Sequence, residues 1–147
     1  MSEIFTLRRQ VEFNHCDPAG MVFYPRYFEM ISSLVERFFA DCVSFSWIEM
    51  GALGGGMGTP TGNIEVRFHK PSRLGDWLDF SLSIKRLGRS SATFAIICAS
   101  DGEIRFSCTS TVVYADTTEG ASAPWPDAVR ERMSRYMTSK VIEKEAL

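Results

Sequence analysis

Residues 27–40 read YFEMISSLVERFFA, and the spacing of their apolar side chains decides the fold. Tyr27, Phe28, Ile31, Leu34, Val35, Phe38 and Phe39 recur at helical intervals, while Glu29, Ser32, Ser33, Glu36 and Arg37 take much of the remaining surface. A helix apolar around so much of its girth needs a curved sheet wrapped about it. The flanking sequence supplies the strands.

Upstream, residues 4–13 alternate Phe5, Leu7, Arg9, Val11 and Phe13 against more polar neighbours, the period of a strand with one mostly apolar face. Residues 14–20, NHCDPAG, are turn formers, and Pro25 suits a first helical turn, so the helix should open near Tyr24. Downstream, residues 51–62 hold six glycines and a proline and read as a loop that comes close to something or moves.

Beyond that loop the period is two. Ile64, Val66 and Phe68 share one face of a strand, as do Leu78, Phe80, Leu82 and Ile84 in the next, with residues 71–76 turning between them. Leu87-Gly88 and Asp101-Gly102 sit at hairpin positions and bracket strands over 91–99 and 103–114. The pattern predicts a four-stranded antiparallel meander and an α+β domain with the helix gripped by the sheet. A short charged helix is expected over 127–137, and the last ten residues should fray or form an oligomer arm. The whole of 1–147 reads as one domain, its core over about 4–116 and a C-terminal helical extension over about 124–147. On the sheet's outer face Trp77, Ile97 and Val113 are less polar than a solvated surface requires, which predicts at least a dimer.

The chain has 147 residues, 45% of them apolar, and a formal charge of −2. That charge offers no field for nucleic acid or an anionic membrane, so an anionic ligand must be held by local cations. The N-terminal residues lack the basic and apolar regions of a signal peptide, and no run approaches a membrane span, so a soluble cytoplasmic protein is expected. Cys16, Cys42, Cys98 and Cys108 are scattered, as reduced thiols would be, and His15 and His69 are isolated, which predicts no metal site.

Asp17 sits in the turn, a few residues before the helix. A helix N-terminus carries unpaired N–H groups and a partial positive charge, so the start near Tyr24 can bind the oxygen of a polarised carbonyl. A thioester suits a carboxylate partner, because the thiolate leaves readily whether the carboxylate attacks directly or deprotonates water. An aspartate before proline also makes Asx-turns and helix caps, and the local residues leave both roles open.

The stretch over 11–30, VEFNHCDPAGMVFYPRYFEM, resembles the Asp-Pro-Ala-Gly-x-x-x-Tyr-Pro-x-Tyr signature of the 4-hydroxybenzoyl-CoA thioesterase family of hotdog-fold enzymes. The likeness runs through Gly58-Thr59-Pro60 and Asn63-x-x-x-x-Phe68 to Ile84-Lys85, covering about residues 8–114. The resemblance implies a long central helix wrapped by a five-stranded antiparallel sheet. It also implies acyl-CoA hydrolysis with Asp17 as nucleophile or general base and the Tyr24 amide as oxyanion donor, no cofactor apart from the coenzyme A of the substrate, and dimers that often form tetramers. Phe23 and Tyr27 would line the site. Members specific for the 4-hydroxybenzoyl group carry an acidic residue partway along the helix, where this chain has Ser32-Ser33. A serine there can still hydrogen-bond a polar acyl group. The family's cations for coenzyme A lie near the hairpin Lys85-Arg86-Leu87-Gly88-Arg89-Ser90-Ser91, of which Arg89, Ser90 and Ser91 are the candidates.

Rival readings are fewer. Glu29 and Glu36 lie seven residues apart on one helical face and are alternative carboxylates. His15 is placed to tune Asp17, His69 lies on a polar strand face, and Cys16 reads as packing. The glycine run at 54–62 lacks the order of elements and the Gly-Lys-Ser/Thr of a phosphate loop and reads as a wall of the acyl pocket, with Thr59 a substrate contact. Two other functions are carried forward: a non-catalytic acyl-CoA-binding protein, and a hydratase on the same fold, for which no histidine partner is placed.

Overall fold

The computed structural model describes residues 2–53 and 55–138. Strand β1 (Phe5–Gln10) is followed by a 3₁₀ turn at Phe13–His15 and by helix α1 (Tyr24–Arg37), with Pro25 in its first turn. Tyr27, Ile31, Leu34 and Val35 face inward, and a π turn at Phe38–Cys42 carries Phe38 and Phe39 into the core before Ser44, at φ 55°, ends the helical path. A short helix α2 (Trp47–Gly51) follows, then β2 (Met57–Gly58), β3 (Thr61–Phe68), β4 (Trp77–Leu87), β5 (Ser91–Ser100), β6 (Glu103–Val113), β7 (Ala115–Asp116), β8 (Ala121–Ser122) and helix α3 (Asp127–Ser134).

The five long strands form one antiparallel sheet in the order β1-β4-β5-β6-β3 around α1, the hotdog arrangement. Its concave face presents Leu78, Phe80, Leu82 and Ile84 from β4, Phe94 and Ile96 from β5, and Phe106 and Val112 from β6, all buried. Phe38 and Phe39 meet Phe94 with ring centroids 5.6 and 6.1 Å apart, so the helix end is locked to the middle of the sheet by aromatic packing. Trp77 and Ile97 lie exposed on the outer face, while Val113 is partly covered.

The structure corrects four expectations. The strands are not a simple meander: β3 pairs with β6, in register Val66↔Cys108 and Phe68↔Phe106, and the chain crosses the sheet's end before β4. Phe13 is not on the apolar face of β1. The strand stops at Gln10, and Phe13 falls in the 3₁₀ turn, 84% exposed. The glycine stretch is less irregular than its composition: β2 and the start of β3 lie within it, and a Cβ on Gly58 would come 2.9 Å from the Thr117 side chain, so glycine there admits close approach. Helix α3 ends at Ser134, and residues 136–138 instead run beside β4, with the Ile84 N–H donating to Tyr136 O at 2.7 Å. Of the last ten residues only Thr138 is among those described.

Candidate active site

The Asp17 loop is built by its own backbone. Cys16 bridges Val22, the Asp17 N–H donates to Met21 O, and Gly20 closes the turn at φ +78°, a conformation glycine adopts without a side-chain clash. Within it the Asp17 carboxylate accepts the Ala19 N–H at 2.9 Å and the Met21 N–H at 3.3 Å, both on Oδ1. The Asx-turn expected on general grounds is therefore present, and it orients the side chain while Oδ2 takes no hydrogen bond among the described residues. His15 Nδ1 accepts the Glu12 N–H at 2.8 Å, and the His15 carbonyl accepts the Phe23 N–H at 2.9 Å, so the loop returns to the helix directly.

At the start of α1 one donor is left over. Pro25 has no N–H, and the Arg26 N–H donates to Phe23 O at 2.8 Å, which leaves the Tyr24 amide without an acceptor among the described residues. Phe23 and Tyr24 are exposed, their rings edge to face at 5.6 Å. Tyr27 is placed differently: it is 4% exposed, stacks against Phe68 and Phe106, and turns its hydroxyl to Ser72. Burial pushes its phenol pKa up, with the Ser72 hydroxyl opposing.

Ser32 and Thr59 come together in a cavity of about 270 Å³ between α1, β3 and β6, walled by apolar groups including Phe28, Ile31 and Val112. Trp47 and Ser110 are among the members that sequence reading missed. Trp47 lines the cavity and its Nε1–H is buried with no acceptor among the described residues, and Ser110 supplies a buried hydroxyl. Trp47 is aimed by α2, whose capping box pairs the Ser46 hydroxyl with the Glu49 N–H at 3.1 Å and the Glu49 carboxylate with the Ser46 N–H at 3.0 Å. The Ser-x-x-Glu spacing was the signal that could have revealed it. Asp17 does not line this cavity.

The Arg89 hairpin lies at the other end of the sheet. Gln10, just before the Asp17 loop, pairs with Trp77 at the start of β4, whereas Arg89 follows its end, so the eleven residues of β4, about 35 Å of strand, intervene. Arg89 donates to Ser90 Oγ at 3.3 Å, and the Ser91 carbonyl accepts the Trp125 Nε1–H at 3.1 Å. Arg130 from α3 donates to Gly88 O at 2.6 Å, a third guanidinium at a hairpin that already holds Arg86 and Arg89.

The rival groups are occupied or exposed. Glu29 pairs with Arg26 at 3.1 Å, Glu36 lies 3.7 Å from Arg37, and His69 Nε2 meets Ser107 Oγ at 3.2 Å. A groove of about 530 Å³ on the β1 side of α1 is edged by His15 and three arginines, two of which, Arg8 and Arg26, already pair with Asp79 and Glu29. Among the described residues no three His, Cys, Asp or Glu side chains gather as metal ligands, and no helix is long and apolar enough to cross a membrane.

Known proteins share this architecture. A thioesterase-like superfamily model matches residues 11–133. A 4-hydroxybenzoyl-CoA thioesterase of Pseudomonas sp. (strain CBS-3) is 29% identical over 91 residues, 62% of this chain, and the match spans 64% of that protein's length. A 1,4-dihydroxy-2-naphthoyl-CoA thioesterase from Synechocystis superposes with a TM-score of 0.81 at 19% identity, over 90% of this chain and 96% of its own. A thioesterase from Thermus thermophilus, solved with coenzyme A and zinc, gives 0.74 at 27% identity, over 87% and 90%. With its loop, central helix and enclosing sheet matched along most of its length, the chain belongs to the thioesterase-like superfamily.

Proposed function

We propose that this protein hydrolyses acyl-CoA thioesters, with Asp17 attacking the acyl carbon or activating water and the Tyr24 amide stabilising the oxyanion. One observation carries the reading: a carboxylate oriented through Oδ1, with Oδ2 free among the described residues, lies in the loop that delivers the unpaired donor of a helix N-terminus. The chemistry needs no cofactor beyond the coenzyme A of the substrate.

The split between Asp17 at one end of the sheet and Ser32, Thr59 and Arg89–Ser91 toward the other supports a homodimer. Strand β3 is one of the sheet's two edges, β1 being the other, and it is almost wholly exposed. Two copies pairing antiparallel along β3 about Val66 set Glu65 of each opposite Arg67 of the other, and bring the Asp17 loop of one copy to the cavity and hairpin of its partner. The exposed Trp77 and Ile97 then remain for a dimer of dimers.

The cavity fits an acyl group of about one ring bearing a hydrogen-bond acceptor, because Trp47 offers a donor and Ser32, Thr59 and Ser110 offer hydroxyls, with no carboxylate to select a phenol. Phe23 would flank the thioester, and Arg89, Ser90 and Ser91 would meet the coenzyme phosphates. The near-neutral charge and free thiols support a cytoplasmic protein without nucleic-acid or membrane partners. The test is thiol release across benzoyl-, hydroxybenzoyl- and aliphatic acyl-CoAs by wild type and Asp17→Asn. Binding without turnover by the wild type identifies an acyl-CoA-binding protein instead.

A further inference from the structure

The Asp17 loop is tied to the body of the protein through residues 71–76, the crossover from β3 to β4. Before the loop, the Val11 N–H donates to Asp76 O at 2.8 Å and the Gly75 N–H to Val11 O at 2.9 Å. After it, the Val22 N–H donates to Ser72 O at 2.9 Å and the Leu74 N–H to Gly20 O at 3.1 Å. The crossover thus holds both ends of the loop, in addition to the loop's own bond from the Phe23 N–H to the His15 carbonyl at the helix start.

The crossover is held from β6 by one side chain. Arg105, 12% exposed at its side chain, directs Nη1 to Asp76 Oδ2 at 2.8 Å, Pro71 O at 3.1 Å and Ser72 Oγ at 3.1 Å. Its Nε is 3.1 Å from Glu103 Oε1 but makes no hydrogen bond there, so that contact is an ion pair only. Asp76 Oδ2 also accepts the Arg73 N–H at 2.9 Å, and the Tyr27 hydroxyl faces Ser72 from α1. Neither Arg105 nor Asp76 lines the acyl cavity.

We propose that Arg105, acting through Asp76 and Ser72, is the positioning residue that fixes the Asp17 carboxylate relative to the oxyanion amide. This rests on the reading of Asp17 as the reacting carboxylate. The guanidinium is permanently charged, and its Nη1–H₂ has two hydrogens for three acceptors, so the charge-assisted bond to Asp76 takes one while the Ser72 hydroxyl and the Pro71 carbonyl share the other. Displacing a reacting group by about 1 Å costs on the order of a hundredfold in rate, so loosening the crossover should be read in turnover.

The experiment measures kcat, KM, the pH profile of kcat and the melting temperature for Arg105→Met, Arg105→Lys, Asp76→Asn and the Arg105→Met/Asp76→Asn double variant, beside Asp17→Asn. Arg105→Met and Asp76→Asn should each lower kcat by about tenfold or more with KM within about twofold, and shift the acid limb of the profile. Arg105→Lys should recover part of kcat, and the double variant should be no slower than Arg105→Met. Wild-type kcat in a folded Arg105→Met, or a raised KM at unchanged kcat, overturns the proposal while leaving Asp17 standing if Asp17→Asn is inactive. Full turnover by Asp17→Asn overturns the underlying reading instead. If Arg105→Met does not fold, Asp76→Asn and Ser72→Ala decide: additive small losses, or none, overturn the proposal.

Discussion

The Asp17 carboxylate accepts the Ala19 N–H at 2.9 Å through the same oxygen that takes the Met21 N–H, so one turn uses one carboxylate oxygen and leaves the other free among the described residues. Asp17→Asn can preserve the Asx-turn through its carbonyl while losing the anion. We expect thiol release to fall by about 10²–10⁴-fold with the melting temperature nearly unchanged, checked by steady-state kinetics beside a thermal melt. A collapse in stability would assign the residue to the turn alone.

The orphaned indole N–H of Trp47 gives a selective prediction. Trp47→Phe keeps most of the aromatic wall and removes the donor. For an acyl-CoA carrying a ring oxygen, kcat/KM should fall by about three- to tenfold, and for the unsubstituted acyl-CoA it should barely change. Equal losses on both substrates would mean the indole serves packing.

Charge reversal probes the open edge. Arg67→Glu should weaken the dimer by about tenfold in Kd, and Glu65→Arg/Arg67→Glu should restore it, both read by sedimentation. Activity should follow the dimer fraction. Mixing Asp17→Asn with a cavity-filling Thr59→Trp variant should recover roughly a quarter of wild-type turnover, because half the dimers then hold one intact site of two. No recovery in confirmed mixed dimers would place the whole site within one chain.

Two ionisation effects are open to measurement. The Arg105 hydrogen bond, aided by the Arg73 amide, holds the Asp76 carboxyl below the usual carboxylate range. A depressed folded-state pKa contributes stability that is present above the unfolded value of about 4 and lost as pH falls through the folded one. Wild type should therefore lose more stability than Asp76→Asn in denaturant melts taken from pH 5 downward.

Burial pushes the Cys98 and Cys108 thiols up to about 12. Alkylation of the native protein at pH 8 should spare both, with labelling confined to Cys16 and Cys42 until denaturant is added, as peptide mapping would show.

The helix was legible because its apolar residues repeat at one period over four turns, and Leu78 to Ile84 were legible because alternation needs no knowledge of the neighbouring strand. The partner of β3 was not: Val66 and Phe68 present the same alternation to β4 or to β6, and the choice of β6 is made by how the whole sheet curves about the helix. Asp17 stood out through its motif, whereas its two amide donors follow from a turn conformation that other sequences also adopt. Trp47 and Arg105 were invisible for a different reason. Each acquires its role from groups that approach in space, the first across a cavity and the second across the β3–β4 crossover.

The pairing of β3 with β6 also bears on how the chain reaches its native state. Thr61 meets Val112 and Phe68 meets Phe106, contacts that close loops of roughly forty to fifty residues. The hairpins β4–β5 and β5–β6 can zip early from local turns, leaving β3, and β1 with its still longer closure onto β4, to dock later onto preformed edges. Refolding should therefore show a late phase at the sheet's two edges, its β3 part sensitive to Phe68→Ala and indifferent to changes in the Asp101-Gly102 turn. Until that phase completes, the strand proposed to join two subunits is itself unmade, which would place association after folding in time as well as in structure.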